Sequence, residues 1–194
     1  MEFALHVLVK ERRNLVRDHQ SFLVTTLNKY TTPRVAEVGV GCGGTSELLL
    51  ANHPGLRLWM VDNWLVPKRT YTRRTQEQCD TACRAAIDRT EFARVRRVVL
   101  RLDSVQASGR FADNYFDLVF IDADHEYAGV RADLAAWWPT VRPGGVFCGH
   151  DIDSDKDKRG VWGVRQAVEE FCVATGVAFT VDKNVWVIEK PSTD

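Results

Sequence analysis

The sequence has no apolar run approaching the roughly 18–20 residues that a membrane-spanning helix needs, so no membrane partner is expected. Nothing in its 194 residues reads as a repeat, a low-complexity tract or a linker between domains. Net charge is missing too, because 26 Lys and Arg balance 26 Asp and Glu. That balance argues against a nucleic-acid partner, since phosphate contacts call for a broad basic face, and against an acidic disordered tail. The five Cys (42, 79, 83, 148 and 172) are odd in number and include no CxxC pair. They predict reduced thiols in a cytoplasmic protein rather than a disulfide framework. Cys79 and Cys83 stand one helical turn apart, but no neighbouring His or Cys completes a zinc set. The opening MEFALHVLVKERRN interrupts its short apolar stretch with His6 and makes a poor signal peptide. With 45% hydrophobic residues, the chain has material for one core, and a single domain over 1–194 is expected. Residues 1–32 would form an N-terminal helical extension and 33–190 the core.

The apolar spacing of Leu15, Val16, His19, Phe22, Leu23 and Leu27 predicts a helix within 11–30. Strands are predicted at 34–40, 56–62, 95–102, 115–122 and 145–150, with helices at 45–51, 76–91, 126–138 and 163–175. Gly176 is the expected cap of the last helix, and Arg142-Pro143-Gly144-Gly145 is read as a turn before the fifth strand. Alternation of strand and helix argues for an α/β fold, a mostly parallel sheet with helices on both faces. The last two apolar runs, Val177 to Val181 and Val185 to Ile188, are too close for a parallel crossover and demand an antiparallel hairpin.

In such sheets ligands collect beyond the carboxyl ends of the strands. The first strand ends in Gly39-Val40-Gly41-Cys42-Gly43-Gly44. Gly39, Gly41 and Gly44 satisfy GxGxxG, a dinucleotide fingerprint, while Gly39, Gly41 and Gly43 satisfy GxGxG, a turn that holds S-adenosylmethionine. Glu37 precedes the turn; an acid there repels a pyrophosphate but suits an ammonium group. Asp62 ends the second strand, where a carboxylate can accept ribose hydroxyls. Asn63 and Trp64 follow it, and Trp64 is a candidate cover for an adenine. Asp103 and Ser104, past the third strand, are candidates for the adenine amino group. Thr45, in the first turn of the following helix, belongs to the same ligand side.

Val35-Ala36-Glu37-Val38-Gly39-Val40-Gly41-Cys42-Gly43 resembles the first motif of class I S-adenosylmethionine-dependent methyltransferases. The run Phe116 to Tyr127, with Gly129 to Leu134, Pro143-Gly144-Gly145 and Gly149-His150-Asp151, resembles the small bacterial O-methyltransferases of the macrocin and cephalosporin-associated type. It is also similar to the cation-dependent catechol and caffeoyl-CoA O-methyltransferases. The resemblance spans roughly residues 34–190 and implies a Rossmann-like seven-stranded sheet whose last strand is antiparallel. It implies S-adenosylmethionine as methyl donor, held by Glu37, Gly39, Gly41, Gly43, Thr45, Asp62, Asn63, Trp64, Asp103, Ser104 and Asp122. The acceptor would be a hydroxyl of a small molecule, a sugar or phenol of a natural product.

Asp122, Asp124 and His125 follow the fourth strand, and His150 and Asp151 end the fifth. Neighbouring parallel strands deliver these groups to one rim, and carboxylates gathered there suit a divalent cation such as Mg²⁺. By the resemblance, Asp122 aligns with the strand-four metal ligand of the cation-dependent enzymes, and His150 and Asp151 with the pair after strand five. That pair is usually acidic or Asp-Asn, and His150 departs from it, which makes Mn²⁺ or Fe²⁺ more plausible than in the relatives. His125 is the candidate base, at a position where catechol-type relatives carry a Lys. His6, His19 and His53 lack an acidic cluster and are expected to pack or face solvent. The Asp151 to Asp157 run is not a calcium loop, because Lys156 stands at its sixth position and Trp162 at its twelfth. The apolar stripe of the N-terminal helix predicts a homo-oligomer contact. Three other readings compete: a metal-independent methyltransferase acting on nitrogen or a macromolecule, an NAD-dependent oxidoreductase resting on GxGxxG alone, and a non-catalytic binding module that retains the cofactor pocket.

Overall fold

A computed structural model describes residues 17–66, 74–153 and 162–192. The start of the predicted N-terminal helix and residues 67–73 and 154–161 lie outside them. In chain order the elements are α1 (Asp18–Leu27), β1 (Arg34–Val38), α2 (Gly44–Asn52), β2 (Arg57–Asp62), α3 (Gln76–Arg89) and β3 (Arg97–Arg101). They are followed by α4 (Ser104–Ser108), β4 (Phe116–Ile121), α5 (Tyr127–Trp137), β5 (Val141–Gly149), α6 (Val164–Thr175), β6 (Thr180–Asp182) and β7 (Val185–Glu189).

The seven strands form one sheet in the order β3-β2-β1-β4-β5-β7-β6. The first five are parallel, and β7 runs antiparallel to both β5 and β6. The hairpin between β6 and β7 turns through Lys183 and Asn184, both at positive φ (49° and 68°). Two such residues match the right-handed twist of the strands they join, and Asn tolerates that region better than most.

Along β1 and β4 side chains alternate between two cores, as the pleat requires. Val35, Leu118 and Phe120 face a cluster closed by Leu23 and Leu27 of α1, Leu49 and Leu50 of α2, and Ala86 of α3. Ala36, Val38, Val119 and Ile121 face the other, closed by Ala107 of α4, Leu134 and Trp137 of α5, and Val168 of α6. Both faces are therefore covered, which is why the strands read as apolar runs with little alternation.

Three local features depart from the sequence reading. Residues 91–96 form a 3₁₀ segment, so β3 starts at Arg97 rather than Val95. Asp103 caps an additional short helix, α4, by accepting from the amides of Val105 (3.0 Å) and Gln106 (3.3 Å). The Arg142 to Gly145 turn lies inside β5, as an irregularity between the pairs Phe116–Val141 and Leu118–Val146. Its backbone is satisfied by Lys190, which accepts from Gly144 (2.8 Å) and donates to Gly145 (2.9 Å).

Strand order reverses at β1: the helix after β1 packs on one face and the helix after β4 on the other, and sheets of this kind bind ligands beyond the carboxyl ends at such a point. Gly43 shapes that rim: its φ is +79°, and an added Cβ would lie 2.7 Å from Ala86 Cα. Gly41, at φ +56°, has nothing within 4 Å. Gly43→Ala is expected to cost about 2–3 kcal/mol, from backbone strain plus overpacking, and Gly41→Ala about 1 kcal/mol. Denaturant melts check the order of the two; equal losses would contradict it.

Candidate active site

Beyond Val38 the chain turns through three glycines with different duties. A Cβ on Gly39 would overlap the carbonyl of Asp122 and the Cα of Ala123, so this residue lets β1 and β4 end side by side. Gly43 seats the turn on α3, and Gly41 presents bare backbone to open space. A ligand approaching the rim meets Gly41 without a side chain in the way.

Asp62, at the end of β2, holds this turn. Its Oδ2 accepts from the amides of Val40 (3.0 Å) and Gly41 (2.9 Å), and its Oδ1 from that of Trp64 (2.7 Å). Oδ2 is filled by its two amides, and Oδ1, with one, keeps acceptor capacity for a ligand hydroxyl. Trp64 is buried, at φ 46°, and its indole donates to the Gly41 carbonyl (2.8 Å). Its ring belongs to the core and braces the glycine turn, a different position from the cover over a ligand that the sequence suggests. Asn63 is exposed and accepts from the amide of Leu65 (2.9 Å).

Glu37 is buried on the face shared with α1 and α2, where Ser46 donates to its carboxylate. Burial pushes its pKa up to about 8, the Ser46 bond opposes the shift, and the charges of Asp122 and Asp62 add to it. A cationic ligand group beside this carboxylate would favour its charged form. Thr45 is turned toward the N-terminal helix, accepting from Gln20 (3.1 Å). Asp103 and Ser104 have other partners as well. Asp103 is spent on the α4 cap, and Ser104 accepts from the Trp137 indole (2.9 Å) beside buried Asp133.

Across the rim, Asp122, His125 and Asp151 each offer a ligand atom within 4.8 Å of the others. His125 Nε2 lies 3.4 Å from Asp122 Oδ1 and 3.0 Å from Asp151 Oδ2. Burial disfavours its charge, but the hydrogen bonds to Asp122 and Asp151 outweigh this and hold the pKa at about 9. Its ring stacks flat on Trp162, centroids 4.5 Å apart. His150, paired with Asp151 in the sequence reading, stands outside this triad. Its Nδ1 is 3.3 Å from Asp151 Oδ1 and 3.9 Å from Asp122 Oδ1, so both imidazoles border the two acids and His125 completes the converging group. Two carboxylates and an imidazole at this spacing suit a divalent cation. Asp151 adopts φ 64°, and the side-chain amide of Asn184 in the last hairpin donates to it (3.2 Å).

One residue of this neighbourhood was not singled out in the sequence. His19 of α1, expected to pack or face solvent, is 2% exposed and lies against His150, ring centroids 4.4 Å apart. The available signal was its phase: His19, Leu23 and Leu27 recur every four residues on one helix face.

A family model described as a methyltransferase domain matches residues 36–152. Among solved structures, a Corynebacterium glutamicum protein is 17% identical and aligns over 100% of this chain and 92% of its own, at a TM-score of 0.62. A candidate caffeoyl-CoA O-methyltransferase from Staphylococcus aureus is 13% identical over 95% of this chain and 91% of its own, at 0.67. MycE methyltransferase from the mycinamycin biosynthetic pathway, solved with Mg, SAH and mycinamycin VI, is 19% identical at 0.58; the chain is covered to 90% but spans only 50% of MycE. At such identities these structures share the fold. No protein of curated function matches in sequence.

The buried Glu37 makes stability depend on pH. Unfolded, it ionises near 4.5; folded, it keeps its proton to about 8. Folding therefore loses free energy as pH rises through that window and levels off above it. Glu37→Gln is expected to match the parent protein near pH 4.5 and to melt at higher temperature near pH 8, each unit of displacement being worth about 1.4 kcal/mol. A parallel pair of stability–pH curves would overturn this.

Proposed function

Because the chain belongs to the methyltransferase-domain family, we propose that it transfers the methyl group of S-adenosylmethionine to a hydroxyl of a small molecule, with the help of a divalent cation. A sugar or phenol of a natural product is the acceptor class this reading favours. The observation that carries it is the convergence of Asp122, His125 and Asp151 within 4.8 Å, next to a turn where Gly41 is open and Glu37 is buried.

The division of labour follows from position. Glu37 answers the positive charge of the donor's amino acid portion, and Asp62 offers its Oδ1 to the ribose while bracing the turn through Oδ2. Gly39 brings Asp122 against that turn, so donor and acceptor meet at the β1–β4 boundary. Methyl transfer is an in-line displacement at a sulfonium already reactive, and much of the rate comes from holding the acceptor oxygen near about 3 Å on the right line. What remains is the acceptor's proton. His125 is placed to take it, held by Asp122, Asp151 and the flat face of Trp162.

In the protein alone the imidazolium of His125 partly neutralises the two carboxylates. A divalent cation on Asp122 and Asp151 would supply that neutralisation instead, leaving the imidazole able to accept a proton, and would stabilise negative charge on the acceptor oxygen. The neighbours support this reading through their descriptions: an O-methyltransferase in one case, and in the other a methyltransferase solved with Mg, SAH and a mycinamycin.

Two measurements test the proposal. Asp122→Asn should lower turnover on a phenol or glycoside acceptor by about 10²-fold or more, while calorimetry still detects S-adenosylhomocysteine. Turnover equal to that of the parent would refute the site. Chelation by EDTA should abolish turnover, and Mg²⁺ or Mn²⁺ should restore it; full activity in EDTA would select the metal-independent reading.

A further inference from the structure

The acid cluster is flanked by an element that the glycine turn and strand ends do not account for. α1 precedes the whole sheet in sequence, yet its buried His19 reaches the carboxyl rim. The imidazole stacks on Phe120 of β4, centroids 5.8 Å apart and planes 17° from parallel. On its other side it meets His150 at 4.4 Å with the rings tilted by 60°. Its Nε2 stands 3.4 Å from Thr45 Oγ1, which also accepts from Gln20 of the same helix. Thr45 is in the first turn of α2, directly after the glycines.

His150 is thus confined between a ring and two acids. It follows β5, where Gly149 is closed in by the Trp186 indole, and its Nδ1 points to Asp151 and Asp122. Rotation of this imidazole away from the acids is opposed by His19, and His19 is itself fixed by Phe120 and Thr45. Burial, followed by the charge of His150, pushes the His19 pKa down, so it contributes an uncharged ring surface.

We propose that His19 is a positioning residue for the acceptor side of the site, holding His150 against Asp122 and Asp151 and tying that orientation to the helix of the glycine turn. The inference rests on the methyl-transfer reading for its catalytic consequence and on geometry alone for the orientation of His150.

The test keeps the two apart. Protein labelled with ¹⁵N-histidine, free of added metal and at one fixed pH, gives the shifts of both His150 ring nitrogens, which report protonation and hydrogen bonding and respond little to nearby rings. His19→Phe keeps the stack on Phe120 and should leave the His150 pattern as in the parent. His19→Ala should shift it toward that of an unrestrained imidazole. His53, held by the Tyr30 carbonyl at 2.9 Å, should not respond. In turnover, His19→Ala should lose about 10-fold in kcat, since small misplacements carry such penalties, with the KM for S-adenosylmethionine within about 2-fold and most of the loss recovered by His19→Phe. The double variant with His150→Ala should be no slower than His150→Ala alone, the signature of one residue acting through the other. An unchanged His150 pattern in His19→Ala, or additive losses in the double variant, would overturn the proposal. If the parent protein methylates no acceptor, the methyl-transfer reading fails, and the ¹⁵N comparison still decides whether His19 orients His150.

Discussion

The closeness of two strand ends governs this molecule. At the β1–β4 boundary the amide of Asp122 donates to Val38 (2.7 Å), and a Cβ on Gly39 would overlap the Asp122 carbonyl, so only a residue without one fits there; on the other side the Gly39 amide donates to Val61 of β2 (2.8 Å). Because this seam is tight, groups delivered by β1 and β2 stand beside groups delivered by β4 and β5. Without it, the glycine turn and the acid cluster would still form, but separately.

Such crowding brings acids together, and the chain answers each differently. Asp62 is satisfied by three backbone amides, charge-assisted bonds of the stronger kind. Glu37 has a single hydroxyl partner and little solvent, so its proton is retained to about pH 8. Asp122 and Asp151 share the imidazole of His125. The glycine-turn side thus carries a carboxylate whose charge depends on what sits beside it, and the side of β4 and β5 carboxylates that need a positive neighbour.

Strand ends were the legible part of the sequence. An apolar run followed by Gly39, Asp62 or Asp122 states both where a strand stops and what it presents, so the order of elements and the convergence of Asp122 with Asp151 could be read from spacing. The hairpin was equally plain, since three residues cannot make a crossover. What escaped depends on competition for partners. Asp103 looks like a ligand acid until its own helix cap claims it, and Trp64 looks exposed until its indole finds Gly41. That His125 reaches both acids, with His150 beside them, turns on side-chain direction, which adjacency in sequence does not contain. His19 lies 131 positions from His150, and only tertiary packing unites them. The turn from Arg142 to Gly145 entered β5 for a similar reason: its partner, Lys190, comes from the far end of the chain.

The terminal hairpin carries an obligation beyond finishing the sheet. Asn184 grips Asp151 through its side-chain amide and receives the amides of Ile152 and Asp153 on its two oxygens (3.4 and 2.7 Å). This two-residue bend is therefore a ruler as well as a reversal: lengthening it by one position would carry Asn184 off its mark and loosen an acid that belongs to another strand. Drift at this edge of the protein is limited by the placement of Asp151 as much as by the pairing of the strands, and the tolerance usually granted to surface loops does not extend to it.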